Sequence, residues 1–243
     1  QPLELAAERL QVRGALHAHG LVQAAVADRF DRAVDLPDRA ADEQREEQHQ
    51  AERHGDQRGG LPEDALARAF GLGSKTGIDL PGEVSGRVPD AAWKEQFNLN
   101  YPEYQLWLPG DTVNMAIGQG DLLASPLQMA LVYAGVANGG TVMQPHVLKT
   151  VLDSEGQAVR EVESEVFVRS GASEASLGVI GRALVDVTEY GTAEGAFAGF
   201  GVTVAGKTGT AEVKGKDDYA WFCAYAPANE PRYAVAVIVE QGG

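Results

Sequence analysis

Three runs of β-branched and aromatic residues near the end of this chain constrain its fold more than any other feature. They cover residues 202–205 leading into Lys207, residues 219–226 and residues 233–240. Such residues favour strands, and Asn229-Glu230-Pro231 predicts the turn between the last two runs. Strands that follow one another through short turns pair antiparallel. We therefore expect an antiparallel sheet here.

Helix signals surround this predicted sheet. Pro62-Glu63-Asp64 opens a short amphipathic segment, and Ser125-Pro126 combines a capping hydroxyl with a proline in the first turn. An apolar run follows and ends at Asn138-Gly139-Gly140. Residues 173–190 repeat the amphipathic pattern and end at Gly191. Three helices are predicted.

The rest of the chain from residue 61 is predicted as loops and a hairpin. Residues 147–152 and 159–162 flank a turn at 153–156, which predicts the hairpin. Residues 93–113 mix aromatic residues with Asn and Pro and predict a long surface loop. Helices packed against an antiparallel sheet make an α+β fold, and that is the predicted class.

The motif with the most chemical meaning is Gly206-Lys207-Thr208-Gly209-Thr210, at the end of the first predicted strand. Lys-Thr-Gly on a strand is the third signature of serine acyl-transferases that react with penicillin, beside S-x-x-K and S-D-N. None of the eight serines has a lysine three residues later, and none begins S-x-N or S-x-D. The sequence therefore predicts part of an enzyme whose nucleophile is absent.

Composition divides the chain near residue 60. Residues 1–60 contain no Ser, Thr, Ile, Lys, Asn, Tyr, Trp, Met or Cys, and the usual range of amino acids returns from Leu61. A normal domain rarely lacks so many residue types. We hypothesise that residues 1–60 are a frame-shifted or fused segment, disordered or loosely helical, and that residues 61–243 form the domain. Resequencing the source DNA tests this, because one clean frame through residue 60 would contradict it.

Bulk properties exclude several classes of function. The formal net charge of −15 argues against nucleic acid and anionic membranes as partners. The single cysteine, Cys223, excludes an internal disulfide and is expected to be buried and inert. No apolar run reaches the length of a membrane span and no signal peptide opens the chain, so we expect any anchor to lie on a longer parent.

Several patterns admit other interpretations. Residues 201–208 match the phosphate-loop pattern G-x-x-x-x-G-K-T, but the β-branched residues within it disfavour a flexible loop. Lys75-Thr76-Gly77 is a second K-T-G, which we interpret as a structural turn. Histidines 17, 19, 49 and 54 could suggest a metal, but without a third convergent ligand we interpret them as solvated. The Gly118-Gln119-Gly120 loop is predicted to support a cleft and not to react.

Four ordered stretches carry a family resemblance. They are residues 71–83, residues 116–130 with Ile117-Gly118-Gln119-Gly120 and Ser125-Pro126, residues 206–212, and residues 220–227. Together they resemble the transpeptidase domain of class B penicillin-binding proteins, closest to the elongation-type group called penicillin-binding protein 2. The resemblance implies the penicillin-binding transpeptidase and serine β-lactamase-like fold, incomplete here.

The same resemblance implies a peptidoglycan D,D-transpeptidase that works through a serine acyl-enzyme and is acylated by β-lactams. Its substrate would be a stem peptide ending in D-Ala-D-Ala, with no metal or organic cofactor. Lys207 would supply positive charge, and the Thr208 and Thr210 hydroxyls would bind the terminal carboxylate. Gly209 would let the substrate backbone approach the strand, and the Thr210 amide would give one oxyanion donor. The parent would act with a glycosyltransferase at the extracytoplasmic face of the membrane, anchored by a segment absent here.

Departures from the family pattern predict an internal fragment that is inactive alone. In the family, S-x-N falls within the stretch that residues 1–60 occupy here, S-x-x-K falls at or before residue 1, and a C-terminal helix follows the last strand. A β-lactamase or β-lactam sensor shares the K-T-G strand, but the stretch 117–120 and the length favour a transpeptidase. A non-catalytic remnant stays open as the alternative of a different class.

Overall fold

A computed structural model describes residues 63–213 and 215–242. The predictions for residues 1–60, including the four histidines there, lie outside the described residues. The described helices are α1 (Glu63–Ala69), α2 (Ala91–Phe97), α3 (Pro109–Ala116), α4 (Pro126–Ala137), α5 (Glu174–Glu189) and α6 (Glu194–Phe197), with a 3-10 turn at Pro102–Tyr104. The described strands are β1 (Thr141–Met143), β2 (Thr150–Leu152), β3 (Ala158–Glu161), β4 (Val166–Arg169), β5 (Ala205–Ala211), β6 (Tyr219–Ala226) and β7 (Tyr233–Val239).

The predicted antiparallel sheet is confirmed as β5-β6-β7, with β6 in the middle. Its register sets Lys207 opposite Cys223 and Gly209 opposite Trp221. Helix α4 packs on β6 and β7, and helix α5 packs on β5. The α+β class is therefore correct. The predicted hairpin is also confirmed as β2-β3.

Helix α4 begins as predicted, and its buried residues are Gln128 and Gly135. The Ser125 hydroxyl accepts a hydrogen bond from the Gln128 amide at 3.2 Å, and the Gln128 side chain accepts one from the Ser125 amide at 2.9 Å. Gln128 is only 2% exposed, because its amide nitrogen also donates to the carbonyls of Ser74 and Ser85. A polar side chain can be buried when its groups are all paired. Gln128 thus ties α4 to residues 74–85.

The prediction of one long loop over residues 93–113 is wrong. Helix α2 begins at the Asp90 cap, whose carboxylate accepts from the Trp93 amide at 2.8 Å. Helix α3 begins at Pro109, and the Asp111 carboxylate accepts from the Leu108 amide at 2.7 Å. The Asp90 cap of α2, and Pro109 and Asp111 in the first turn of α3, outweigh the aromatic content.

The short strand pair β1-β4 was not predicted. Strand β1 has three residues and β4 has four, so neither shows enough alternation to be recognised in sequence. Their pairing nevertheless encloses Val142, which is 0% exposed.

A carboxylate holds the segment that contains the second K-T-G. Glu83 accepts hydrogen bonds from the Thr76 amide at 2.6 Å, the Thr76 hydroxyl at 2.5 Å and the Gly77 amide at 3.1 Å. Thr76 is 2% exposed. Burial alone would raise the pKa of Glu83, but these hydrogen bonds and the Lys75 charge bring the pKa below its ordinary value. The ionised carboxylate therefore stabilises the fold.

Replacing Glu83 with glutamine is expected to lower the free energy of unfolding by about 1–3 kcal/mol at pH 7, because buried donors of Thr76 lose a charged acceptor. Because the folded pKa is lowered, this contribution is present above about pH 4.3 and is lost as the pH falls through the folded value. Urea unfolding of the E83Q chain at pH 7 and pH 3 checks both statements. An exposed substitution, Glu95→Gln, is the control, and equal stability of E83Q and E95Q at pH 7 would contradict the account.

Candidate active site

The predicted motif lies on the free edge of the sheet. Strand β5 pairs with β6 on one side, and the described part of the chain places no strand on its other side. Ala205 and Gly206 are buried at the start of the strand, whereas Lys207, Gly209 and Thr210 are exposed. The sequence motif is therefore presented to solvent along an unpaired backbone edge.

Lys207 reaches across that edge. Its side chain starts on the face opposite to Thr208, because successive strand residues alternate. Its Nζ donates to the Thr208 carbonyl at 2.9 Å and lies 3.4 Å from the Thr208 hydroxyl oxygen. The side chain thus brings an ammonium group to the face that carries Thr208 and Thr210.

The Thr208 hydroxyl has a partner that the sequence analysis did not identify. Its Oγ1 lies 2.8 Å from Oγ1 of Thr192, in the connection between α5 and α6. Thr192 is exposed and Thr208 half-buried, so the pair borders the open surface.

Gln119 fixes the far end of the motif. Its side-chain amide donates to the Thr210 carbonyl at 2.9 Å, across 91 positions of sequence. In a strand, the N–H and C=O of one residue point to the same side, so the Thr210 amide faces the Gln119 side. The 118–120 loop thus contacts the motif, and its support of a cleft stays a prediction. The free edge therefore carries both hydroxyls and amides that could meet an anionic ligand.

The two glycines of the motif differ in their surroundings. A β-carbon at Gly206 would lie 2.6 Å from Phe222 Cζ and 2.9 Å from Ala224 Cβ, which is too close. A β-carbon at Gly209 would have Trp221 Cβ at 3.4 Å as its nearest neighbour, an ordinary contact. Packing against β6 requires Gly206, whereas the fold leaves room for a side chain at Gly209.

Cys223 lies behind the motif, opposite Lys207. It is 4% exposed, and burial raises the pKa of its thiol to about 11. The thiol is therefore protonated at neutral pH, in agreement with the prediction of a buried and inert cysteine.

The structure separates the motif from its rival interpretations. A phosphate loop requires a helix directly after G-K-T, but Ala205–Ala211 is a strand. The second K-T-G lies in an irregular segment with its threonine buried against Glu83, so its interpretation as a structural turn agrees with the structure. Lys207 therefore lies on a strand, whereas Lys75 does not.

A Lys-Thr-Gly-Thr strand at the edge of an antiparallel sheet, with helices packed on the sheet, is the arrangement expected of the penicillin-reactive serine acyl-transferase class. The family model "Penicillin binding protein transpeptidase domain" matches residues 64–243. The chain belongs to this family, and the predicted resemblance and fold are confirmed.

Curated relatives and solved structures indicate which penicillin-binding proteins the chain is similar to. The chain is 36% identical over 190 residues to the peptidoglycan D,D-transpeptidase MrdA of Acinetobacter baumannii, covering 72% of this chain and 27% of that relative. It is 35% identical to the Escherichia coli K12 MrdA over 196 residues, covering 72% of this chain and 29% of the relative. A crystal structure of Pseudomonas aeruginosa PBP2 in complex with WCK 5153 matches with a TM-score of 0.62 at 35% identity, covering 74% of this chain and 39% of that chain.

Penicillin-binding protein 2 structures thus agree with the elongation-type group predicted from sequence. Helicobacter pylori PBP2, solved in complex with MreC, matches with a TM-score of 0.59 at 34% identity, covering 72% of this chain and 31% of that chain. The chain spans less than a third of the length of the two curated MrdA relatives.

Proposed function

We propose that this chain forms the K-T-G wall of a peptidoglycan D,D-transpeptidase that cross-links stem peptides ending in D-Ala-D-Ala and is acylated by β-lactams. The observation that carries the proposal is the exposed edge of β5, where Lys207 Nζ lies 3.4 Å from the Thr208 hydroxyl oxygen. A cation beside donor hydroxyls is suited to a peptide's terminal carboxylate.

Each residue of the motif has a role in this proposal. Lys207 supplies positive charge beside the reacting hydroxyl network, and Thr208 and Thr210 donate their hydroxyls to the carboxylate. Gly209 lets the substrate backbone lie along the edge as an added strand. The Thr210 amide, on the side where Gln119 holds the carbonyl, donates to the oxyanion.

In this proposal the nucleophilic serine is not one of the 243 residues. The sequence contains neither S-x-x-K nor S-x-N. Acyl transfer through a serine ester requires a serine together with a group that takes its proton. We therefore infer that the 243 residues alone are not acylated.

The whole protein is proposed to act outside the cytoplasmic membrane, with a glycosyltransferase of the cell-wall machinery. The relatives named peptidoglycan D,D-transpeptidase support a role in wall synthesis. Among the helices of residues 63–213 and 215–242, none is long and apolar enough to cross a bilayer.

Fluorescent penicillin tests the function. The unaltered chain is expected to show no covalent label. A hybrid in which residues 64–243 replace the matching segment of the Escherichia coli relative, with the rest of that relative unchanged, is expected to be labelled. A labelled chain would contradict the missing nucleophile. A folded but unlabelled hybrid would support the non-catalytic alternative, and rapid release of the label would support a β-lactamase.

A further inference from the structure

The proposed function uses the Thr208 hydroxyl but not its hydrogen bond with the Thr192 hydroxyl. Their oxygens are 2.8 Å apart, and either could be the donor. Thr192 belongs to no strand or helix, and 16 positions of sequence separate it from Thr208. The contact therefore depends on how the α5–α6 connection is held.

That connection is fixed on both sides of Thr192. Before it, a β-carbon at Gly191 would lie 2.8 Å from the Val187 Cα, so the chain turns tightly against α5. After it, the Ala193 amide donates to the Val187 carbonyl at 3.0 Å, and Ala193 is 5% exposed. The backbone that carries Thr192 is therefore held against α5 on both sides of the residue.

The number of protons that each group can donate determines which threonine is the donor in this contact when a ligand is bound. A hydroxyl has one proton and two acceptor sites. The Lys207 ammonium, 3.4 Å away, can only donate to Thr208 Oγ1. A carboxylate can only accept, so Thr208 must give its single proton to the ligand. Thr192 must then be the donor to Thr208.

We propose that Thr192 is a positioning residue for the carboxylate-binding hydroxyl: it donates to Thr208 and thereby directs the Thr208 proton to the terminal carboxylate of the peptide. This inference rests on the proposed function. A hydroxyl that accepts a hydrogen bond is also polarised, and the hydrogen bond that it donates becomes stronger. Thr192 itself does not touch the ligand.

Peptide binding to the full 243-residue chain tests the proposal without any need for the missing serine. The probe is N-acetyl-D-alanyl-D-alanine, and binding is followed by NMR through the threonine methyl groups. Thr192→Val keeps the side-chain shape but removes the donor, and it is expected to weaken binding about fivefold. Thr192→Ser restores the hydroxyl and is expected to bind within about twofold of the unsubstituted chain.

A double-mutant cycle with Thr208→Val separates the possible results. If Thr192 acts through Thr208, Thr192→Val adds no further loss to the Thr208→Val chain. If Thr208→Val weakens binding while Thr192→Val does not, or if the two losses simply add, the inference is overturned and the proposed function stands. If the unsubstituted chain shows no methyl shift with the peptide, the proposed function itself fails, and the inference fails with it.

Discussion

Replacing Lys207 with alanine in the hybrid enzyme is expected to slow acylation by fluorescent penicillin about 10²–10³-fold. The ammonium lies 3.4 Å from the Thr208 hydroxyl oxygen. Without it, the carboxylate of the β-lactam and the developing oxyanion lose their electrostatic support. The measurement is the second-order rate constant of labelling.

The second K-T-G of the chain supplies a matched control. Lys75 is also exposed and is also followed by Thr and Gly, but it lies in an irregular segment. Lys75→Ala is expected to leave the labelling rate unchanged within about twofold, since Lys75 is an exposed charge that solvent screens and it does not lie on β5. An equal decrease of the labelling rate for Lys75→Ala and Lys207→Ala would contradict the assignment of Lys207 to the active site by its position on the sheet edge.

Alanine at the two motif glycines is expected to have different effects: one substitution should lower stability, and the other should slow acylation. Gly206→Ala should lower the free energy of unfolding by about 1–3 kcal/mol, because the new methyl group would overlap Ala224 Cβ and Phe222. Gly209→Ala should fold normally, since its nearest neighbour lies at an ordinary 3.4 Å. It should nevertheless slow acylation of the hybrid about a hundredfold by displacing the ligand backbone from the edge.

Urea unfolding of the chain and penicillin labelling of the hybrid measure these two effects separately. The expected pattern is a lower unfolding midpoint only for G206A and a slow reaction of a stable protein for G209A. Rapid labelling of the Gly209→Ala hybrid would mean that ligand does not pass along β5. A stable Gly206→Ala chain would mean that β5 and β6 can separate more easily than their packing indicates.

Local sequence signals were sufficient for the sheet and for three of the helices. The strands β6 and β7 consist almost entirely of β-branched, aromatic and small apolar residues, and α4 has a hydroxyl cap and a first-turn proline. These preferences act over a few residues, so a single sequence reveals them. The K-T-G motif could be placed on a strand for the same reason.

The contacts that complete the site could not be predicted in this way. Gln119 reaches Thr210 across 91 positions, Gln128 reaches Ser74 across 54, and Thr192 meets Thr208 across 16. Each depends on how separate elements pack, and a polar residue in an apolar helix pattern gives no sign of its distant partner. The helices α2 and α3 differ from the predicted loop for another reason, because Asp90 and Pro109 begin helices in a segment whose aromatic content is typical of a loop.

The position of a bound carboxylate tests the central claim most directly. A crystal structure of the hybrid acylated by penicillin should show the ligand carboxylate within hydrogen-bond distance, about 2.5–3.0 Å, of the Thr208 and Thr210 hydroxyl oxygens. The ligand should also lie along the free edge of β5. A carboxylate bound away from β5, with Thr208 and Thr210 still facing solvent, would contradict the account.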